Sequence, residues 1–205
     1  MESYITVKKA ASFEFEDRKS IFIAEAAPVS TEAEAIAFIA AAKKRYPDAR
    51  HHVYAYVLRE NQTMRFTDDR EPQGTAGMPV LDAIRKRGIT DTVVVVTRYF
   101  GGTLLGTGGL VHAYGTSAVG AINAAEVICY DVYSEIEISV SYSDYQKILT
   151  SLTEWGFRED NTDYGENIKI HGTVLKAKCD GLSDALVQLT SARAEVKILS
   201  EKYGY

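Results

Sequence analysis

One segment, residues 91–125, constrains the fold of this 205-residue chain more than any other. It opens with Thr92–Tyr99, where four consecutive valines form a β-branched run that predicts a strand buried on both faces. A helical pattern follows from Leu110 to Ile122, with apolar residues on one face. Five glycines lie between these two patterns, within nine residues: Gly101, Gly102, Gly106, Gly108 and Gly109. The segment therefore predicts a strand, a glycine-rich loop and a helix.

This glycine-rich loop has two interpretations. A loop that leads into a helix exposes backbone N–H groups at the positive end of the helix dipole, where anions bind. Glycines also allow positive φ angles and close backbone packing, so a purely architectural role stays open. The known phosphate motifs do not fit: a Walker A loop needs a lysine, and none lies between Lys86 and Lys147, while a GxGxxG fingerprint from Gly106 fails at Val111.

Composition and charge bound the class of protein. The chain is long enough for one large domain or two small ones, and no apolar run approaches the ~20 residues of a membrane span. Cys129 and Cys179 form no CxxC pair, which is typical of reduced thiols in a cytoplasmic protein. Residues 1–130 hold 15 basic and 15 acidic residues, whereas residues 131–205 hold 8 and 13. Any contact with nucleic-acid phosphates is therefore expected in the N-terminal part.

Residues 1–67 predict several strands and one helix. The helix begins at Thr31, which forms a capping box with Glu34, and ends before Pro47. The strands are predicted from alternating apolar positions at residues 4–16, 20–26, 51–58 and 63–67. His51 and His52 begin the third of these strands, and adjacent strand residues point to opposite faces. We therefore expect no metal site at this histidine pair.

Residues 68–88 predict a loop followed by a helix, with Pro79 in the first turn and Gly88 at the C-cap. The loop carries three carboxylates, Asp68, Asp69 and Glu71. They are candidates for divalent-metal ligation or for acid–base catalysis. Carboxylates in a turn also accept backbone N–H groups, and this second interpretation is favoured.

A second glycine loop leads into the same helix and contains Gly74, Thr75 and Gly77. Like the first loop, it places backbone N–H groups at a helix N-terminus. Two such loops on one domain can form two sides of a single cleft. We therefore expect both loops to line one recess, with Arg98 and His51 at its border.

Residues 131–205 predict a separate, acidic domain with the order βαββαβ, which is the ferredoxin-like arrangement. Ser143 and Asp144 are expected to cap its first helix, and His171 is expected on the surface of a strand. The strands are predicted at residues 133–142, 157–163, 167–178 and 195–202, and the helices at 145–155 and 180–192. The chain as a whole therefore predicts an α+β protein with domains at 1–130 and 131–205.

Four motifs together resemble the IMPACT/YigZ family. They are KSIFIA at 19–24, ARHHVYAY at 49–56, DDREPQGTAGMPVL at 68–81 and VVVTRYFGGTLLGTGGLVHAYG at 94–115. The resemblance covers about residues 15–125, and the acidic tail domain resembles the smaller C-terminal domain of bacterial members.

The resemblance implies an N-terminal domain like the second domain of a small-subunit ribosomal protein. It also implies a ferredoxin-like C-terminal domain similar to the last domain of the translocation elongation factor. Eukaryotic members regulate translation by binding the activator of a stress-responsive kinase. The resemblance thus implies a cytoplasmic, translation-associated regulatory protein that contacts RNA, the ribosome or a translation factor. We expect no cofactor, no membrane partner and no DNA sequence specificity, and the oligomeric state stays unknown.

The surface expected to contact the ligand or partner combines both glycine loops with nearby polar residues. Its members are His51, Asp68, Asp69, Glu71, Gly74, Thr75, Gly77, Arg98, Tyr99, Gly101, Gly102, Gly106, Gly108, Gly109 and His112. No catalytic role follows for any of them. The sequence departs from the family pattern at Arg70, where members often have glycine, and at Met78 and His112, where many carry a basic residue. The loss of those fixed charges lowers the expectation of a phosphate-rich ligand.

Two other classes of function stay open at this stage. A nucleotide- or anion-binding enzyme would use the glycine loops, with or without Mg²⁺ held by the three carboxylates. A serine peptide hydrolase would need a histidine and an acid near Ser117, which lies in a predicted helix without an elbow motif. A binding protein without catalytic activity is therefore the favoured interpretation.

Overall fold

The computed structural model describes all 205 residues, Met1–Tyr205. The chain divides into two compact units, one formed by Tyr4–Cys129 and the other by Tyr130–Tyr205 together with Met1–Ser3. Both units mix helices with strands, which confirms the α+β class. None of the five helices is both long and apolar enough to cross a membrane.

The N-terminal unit is built on an antiparallel sheet of five strands in the spatial order β2–β3–β6–β4–β5. The strands of this unit are β1 (Tyr4–Val7), β2 (Ala11–Asp17), β3 (Ser20–Pro28), β4 (His51–Val57), β5 (Met64–Thr67) and β6 (Thr92–Tyr99). The expected single strand at residues 4–16 is thus two strands. The other predicted strands are confirmed, with ends that differ by up to two residues.

The central strand β6 confirms the prediction from its four valines. Val94 and Val96 face one hydrophobic core, and Val93 and Val95 face a second core on the opposite side of the sheet. All four are fully buried. A strand covered on both faces needs apolar side chains at every position, which explains why the run is continuous rather than alternating.

Helix α1 (Glu32–Arg45) covers one face of this sheet. Its N-terminus has the predicted capping box, in which the Thr31 hydroxyl accepts from the Glu34 N–H and the Glu34 carboxylate accepts from the Thr31 N–H. Ala35, Ile39 and Ala42 are its buried residues. The helix is therefore held by local capping at its start and by one apolar stripe along its length.

Helices α2 (Gly77–Arg85) and α3 (Gly106–Ala124) cover the other face. Tyr114 of α3 is fully buried, and its ring packs edge-on against Phe22 of β3, with 5.2 Å between ring centroids. Because α3 already begins at Gly106, the last three glycines of the predicted loop lie in the first helical turn. The glycine-rich loop proper is therefore shorter than the sequence suggests.

The C-terminal unit has the element order βαββαβ and the strand order β10–β7–β9–β8, with all neighbours antiparallel. This confirms the ferredoxin-like arrangement. Its elements are β7 (Val127–Val140, from Tyr130 onward), α4 (Tyr142–Glu154), β8 (Arg158–Tyr164), β9 (Ile168–Leu175), α5 (Lys176–Leu189) and β10 (Glu195–Gly204). The N-cap of α4 is Ser141, not the expected Ser143, because the Ser141 hydroxyl accepts from the Asp144 N–H.

Asp144 is a buried carboxylate that anchors the start of α4. It accepts two hydrogen bonds of 2.9 Å from the guanidinium of Arg193 and one of 2.6 Å from Lys147. These bonds hold the pKa of Asp144 well below its usual range, and the bonds from Arg193 have the largest effect. The ionised carboxylate therefore stabilises the folded C-terminal unit.

Acid is expected to weaken this unit through Asp144. Since its native pKa lies below the unfolded value of about 3.9, the stabilisation is present above that pH and is lost as the pH falls further. Asp144→Asn should lower the urea midpoint at neutral pH, and the difference from wild type should shrink in acid. The fluorescence of the only tryptophan, Trp155, reports this unit. The exposed Asp180→Asn is the control, and an equal loss in both variants would contradict the prediction.

Candidate functional site

A buried ionic cluster lies where the sheet meets α3. Arg98 Nη1 donates to Glu71 Oε1 at 2.6 Å, and the Tyr114 hydroxyl donates to the same oxygen at 2.8 Å. The Glu71 and Arg98 side chains are only 4% and 6% exposed. Burial, reinforced by the negative charge of Glu71, raises the pKa of Tyr114 far above its usual value. Tyr114 thus stays a neutral donor to the carboxylate.

The register of the sheet explains how these residues meet. Arg98 of β6 lies directly opposite Phe22 of β3 and His51 of β4, so all three share one face. The Arg98 guanidinium lies 5.4 Å from the Phe22 ring centroid and 5.7 Å from that of Phe100. Its Nη2 is 3.4 Å from the Ser20 hydroxyl, whereas its buried Nε has no hydrogen-bond partner.

His51 faces the cluster with one ring nitrogen fixed by the backbone. Its Nδ1 lies 2.8 Å from the carbonyl oxygen of Asp69, and because a carbonyl only accepts, Nδ1 carries the proton. Nε2 then lies 3.9 Å from Glu71 Oε1. The Asp69 carboxylate accepts from the His52 N–H at 2.6 Å, so Asp69 orders the start of β4.

Asp68 caps helix α2. Its two carboxylate oxygens accept from the N–H groups of Gly74 at 2.9 Å, Ala76 at 3.1 Å and Gly77 at 2.8 Å. The positive end of α2 is therefore filled by a carboxylate of the protein itself. Asp68, Asp69 and Glu71 all have protein partners, and no group of three His, Cys, Asp or Glu side chains is arranged to hold a metal.

An open recess of about 440 Å³ lies beside the buried cluster. We call it the Arg98 recess. It is lined by Arg50, His51, Arg70, Glu71, Pro72, Arg98, Phe100, Leu104, Leu105, Gly106, Thr107 and Leu110. The lining contains three arginines and one glutamate, which gives the residues of the wall an excess of positive charge.

The rim of the Arg98 recess combines exposed apolar and cationic side chains. Phe100 is 46% exposed and Leu104 is 82% exposed. The Arg70 side chain is 75% exposed, and its Nη2 donates to the carbonyl oxygen of Arg50 at 2.5 Å. Arg70 adopts φ +70°, in the left-handed region that favours glycine, which is the physical reason that glycine suits this position.

The N-terminus of α3 opens onto this recess. The N-cap is Leu105, which offers no side-chain hydrogen bond, and Gly106 and Thr107 line the wall. The first N–H groups of a helix have no partner within the helix. The recess therefore has a source of backbone donors beside Arg98.

The two glycine loops do not share one recess. Gly74 lies in a groove of about 580 Å³ between α2 and α3, together with Met78 and His112. The His112 ring packs edge-on against Phe15, with 6.2 Å between ring centroids. The structure thus brings His51, Glu71, Arg98 and Gly106 together and separates them from Gly74 and His112. The expectation of a common cleft is corrected because the Asp68 cap directs the second loop toward the groove.

Several other predicted site residues have architectural roles. A Cβ on Gly77 would lie 2.6 Å from the Thr67 carbonyl oxygen, and one on Gly101 would lie 2.0 Å from the Lys19 backbone. The buried Thr75 hydroxyl donates to the Pro72 carbonyl at 2.6 Å. Tyr99, Gly102, Gly108 and Gly109 are not among the residues that line the Arg98 recess.

Sequence reasoning missed Ser20, Arg50, Leu104 and Thr107 as parts of this site. Phe100 could be expected beside Arg98, because it directly follows the end of the predicted strand. The others become neighbours only through the sheet register and the start of α3. Local sequence patterns do not predict contacts of this kind.

Comparison with known proteins agrees with this architecture. Residues 18–122 match the Impact N-terminal domain, and residues 138–193 match a domain of unknown function, DUF1949. A crystal structure described as that of a hypothetical protein has a TM-score of 0.61 and 30% identity, and the alignment covers 98% of both chains. The fold and the matched regions define a two-domain α+β protein with an Impact-type N-terminal domain.

Full-length relatives share both domains. The IMPACT family member YvyE of Bacillus subtilis is 38% identical over 96% of this chain and 91% of its own length. YigZ of Escherichia coli is 31% identical over 98% of this chain and all of its own length. The bovine Protein IMPACT is 33% identical over 47% of this chain and 31% of its own. This chain belongs to the IMPACT family.

Proposed function

We propose that this protein is a translation-associated binding protein of the cytoplasm that contacts RNA through the Arg98 recess and its rim. The observation that supports this most is the excess of guanidinium groups on the wall, beside the exposed ring of Phe100. Cations bind the phosphate backbone, and exposed aromatic rings stack on unpaired bases. A surface with both features suits single-stranded segments of a structured RNA.

The family relationship supports the link to translation. The motifs of the N-terminal domain resemble those of eukaryotic members, which implies a regulatory role in translation. The C-terminal unit carries the acidic excess of the chain, with 8 basic and 13 acidic residues in positions 131–205. Electrostatics therefore favour the N-terminal unit as the one that contacts RNA.

The enzyme hypothesis has less support from the geometry. The three carboxylates proposed as Mg²⁺ ligands all accept hydrogen bonds from the protein: Asp68 from the start of α2, Asp69 from His52, and Glu71 from Arg98 and Tyr114. Ser117 is buried in α3, where its hydroxyl donates to the Ala113 carbonyl at 2.7 Å. Each of these groups is therefore already engaged by a partner within the protein.

Arg70→Gly is expected to weaken binding to ribosomes and to structured RNA. The change removes one rim cation, so the slope of log affinity against log salt should fall by about 1. Folding should not suffer, because glycine relieves the positive φ at this position. Binding is measured with the full chain between 50 and 200 mM salt, because contacts to phosphates weaken steeply over this range.

Arg85→Ala is the matched control, since Arg85 is an exposed arginine on α2 that does not line the recess. It should bind like wild type. Equal losses for Arg70→Gly and Arg85→Ala would mean that the recess is not the contact surface. No binding at low salt would rule out RNA and leave a protein partner.

A further inference from the structure

The two helices that follow the glycine loops differ in what occupies their positive ends. The Asp68 carboxylate accepts three N–H groups at the start of α2. The start of α3 has no such carboxylate, because its N-cap residue is Leu105 and no side chain caps it. The uncapped end of α3 borders the Arg98 recess through Gly106 and Thr107.

Arg98 supplies a second and independent indication of a ligand. Its side chain is 6% exposed and lines the same recess, yet the buried Nε has no hydrogen-bond partner. Nη1 is held by Glu71 and Nη2 by Ser20. Buried donors are almost always paired, so an unpaired one leaves the Arg98 charge incompletely compensated at this wall. Because Nε itself is closed to solvent, an anion in the recess would meet that need through its charge rather than by contact with Nε.

The recess also has the size and the apolar wall of a small-ligand site. Its volume of about 440 Å³ lies within the range of roughly 300–1,000 Å³ that is typical of ligand pockets. Phe100, Leu104 and Leu105 supply apolar surface next to the cationic donors. We propose that the Arg98 recess binds a terminal phosphate monoester together with the nucleoside that carries it. This deepens the proposed function and rests on it, since the RNA end becomes the bound group.

The chemistry of the donors favours a terminal phosphate over an internal one. A phosphate monoester carries about −1.5 to −2 charges and three strong acceptor oxygens. An internal diester carries one charge and has two free oxygens. The α3 N-terminus and the exposed arginines Arg50 and Arg70 together offer more donors and positive charge than a diester uses. The Phe100 ring can then stack on the terminal base.

The same chemical group can come from an RNA end or from a free nucleoside monophosphate. The experiment separates these sources with one short oligoadenylate in its 5′-phosphate, 3′-phosphate and 5′-hydroxyl forms. Adenosine monophosphate and inorganic phosphate are the competitors. Binding of the full chain is followed by fluorescence anisotropy. We expect at least one phosphorylated form to bind about tenfold or more tightly than the hydroxyl form, because charge-assisted hydrogen bonds are the strong ones.

Thr107→Glu is the decisive variant. It places a carboxylate in the first turn of α3, where it repels a phosphate and itself occupies the positive helix end. Thr107 is exposed, and acidic residues favour helix N-termini, so folding should be kept or improved. The preference for the phosphorylated oligonucleotide should disappear. Met78→Glu makes a similar charge change in the first turn of α2, in the other groove, and should keep the preference.

The outcomes separate this inference from the proposed function. Equal affinity for all three oligonucleotides overturns end recognition, whereas salt-dependent RNA binding that Arg70→Gly weakens would still support the proposed function. Adenosine monophosphate that binds in direct calorimetry while no oligonucleotide binds supports the phosphate site and overturns the RNA role. Inorganic phosphate that competes as well as adenosine monophosphate overturns the nucleoside part. A Thr107→Glu variant that keeps the wild-type preference overturns the site.

Discussion

Glu71→Leu is expected to destabilise the N-terminal unit by about 3–5 kcal/mol, because it leaves Arg98 as an uncompensated buried charge. The two side chains are joined at 2.6 Å and are almost fully buried. The Tyr114 hydroxyl also loses its acceptor, which adds an unsatisfied buried donor. Hydrogen exchange of the buried β6 amides, Val93–Val96, measures this loss. Trp155 fluorescence reports the C-terminal unit and should not change.

A double variant tests whether the cost comes from the broken pair. Glu71→Leu combined with Arg98→Met removes both charges, and replacement of a whole buried pair by apolar residues is often neutral or stabilising. We therefore expect the double variant to regain most of the lost stability. Glu126→Gln, which removes an exposed carboxylate paired with lysines, should leave protection unchanged. If the β6 amides of Glu71→Leu exchanged as slowly as those of wild type, the pair would not be buried in solution.

The second large effect is expected at Gly101, where Gly101→Ala should cost about 3 kcal/mol through overpacking. An added Cβ would lie 2.0 Å from the Lys19 carbonyl carbon and 2.3 Å from the Ser20 nitrogen. The three nearest atoms all belong to the Lys19–Ser20 peptide, so no flexible side chain can move aside to make room. The Gly101 N–H also donates to the Ser20 hydroxyl that faces Arg98, so the site should be disturbed as well.

Two neighbouring glycines provide a graded series. Gly102 has φ +85° and open space around its Cβ position, so Gly102→Ala should cost only the left-handed strain of about 1–2 kcal/mol. Gly108 lies in α3 with open space and without a positive φ, so Gly108→Ala should stabilise by about 0.5–1 kcal/mol. Urea unfolding, monitored by hydrogen exchange of the N-terminal unit, gives the order of stability of the three variants. Similar costs at all three positions would contradict the packing explanation.

The fold was largely predictable because its main signals are local. The valine run of β6 and the capping box of α1 each act within a few residues, and both were identified correctly. The βαββαβ order of the C-terminal unit also followed from local patterns. Errors arose where two nearby residues could fill the same local role. Ser141 and Ser143 both precede α4, and their order along the chain does not show which one accepts the Asp144 N–H.

The site was less predictable because its contacts are distant along the chain. Glu71 and Arg98 were recognised as site residues, but their ion pair spans 27 positions and depends on the fold. Glu71 was interpreted as a possible metal or catalytic carboxylate, whereas Arg98 and Tyr114 occupy it. The glycine pattern was also ambiguous, since a side chain at Gly101 would clash with backbone atoms, whereas one at Gly108 would meet open space. Only the assembled sheet distinguishes these roles.

The place of β6 has a consequence for synthesis of the chain. This strand lies in the middle of the N-terminal sheet but is the last of its five strands to be made. Until Tyr99 has left the ribosome, the hairpins β2–β3 and β4–β5 have no common neighbour and each keeps an open edge. Closure of the sheet is therefore a late step, and a nascent chain that stalls before it exposes the edges of β3 and β4, which β6 would cover, to aggregation.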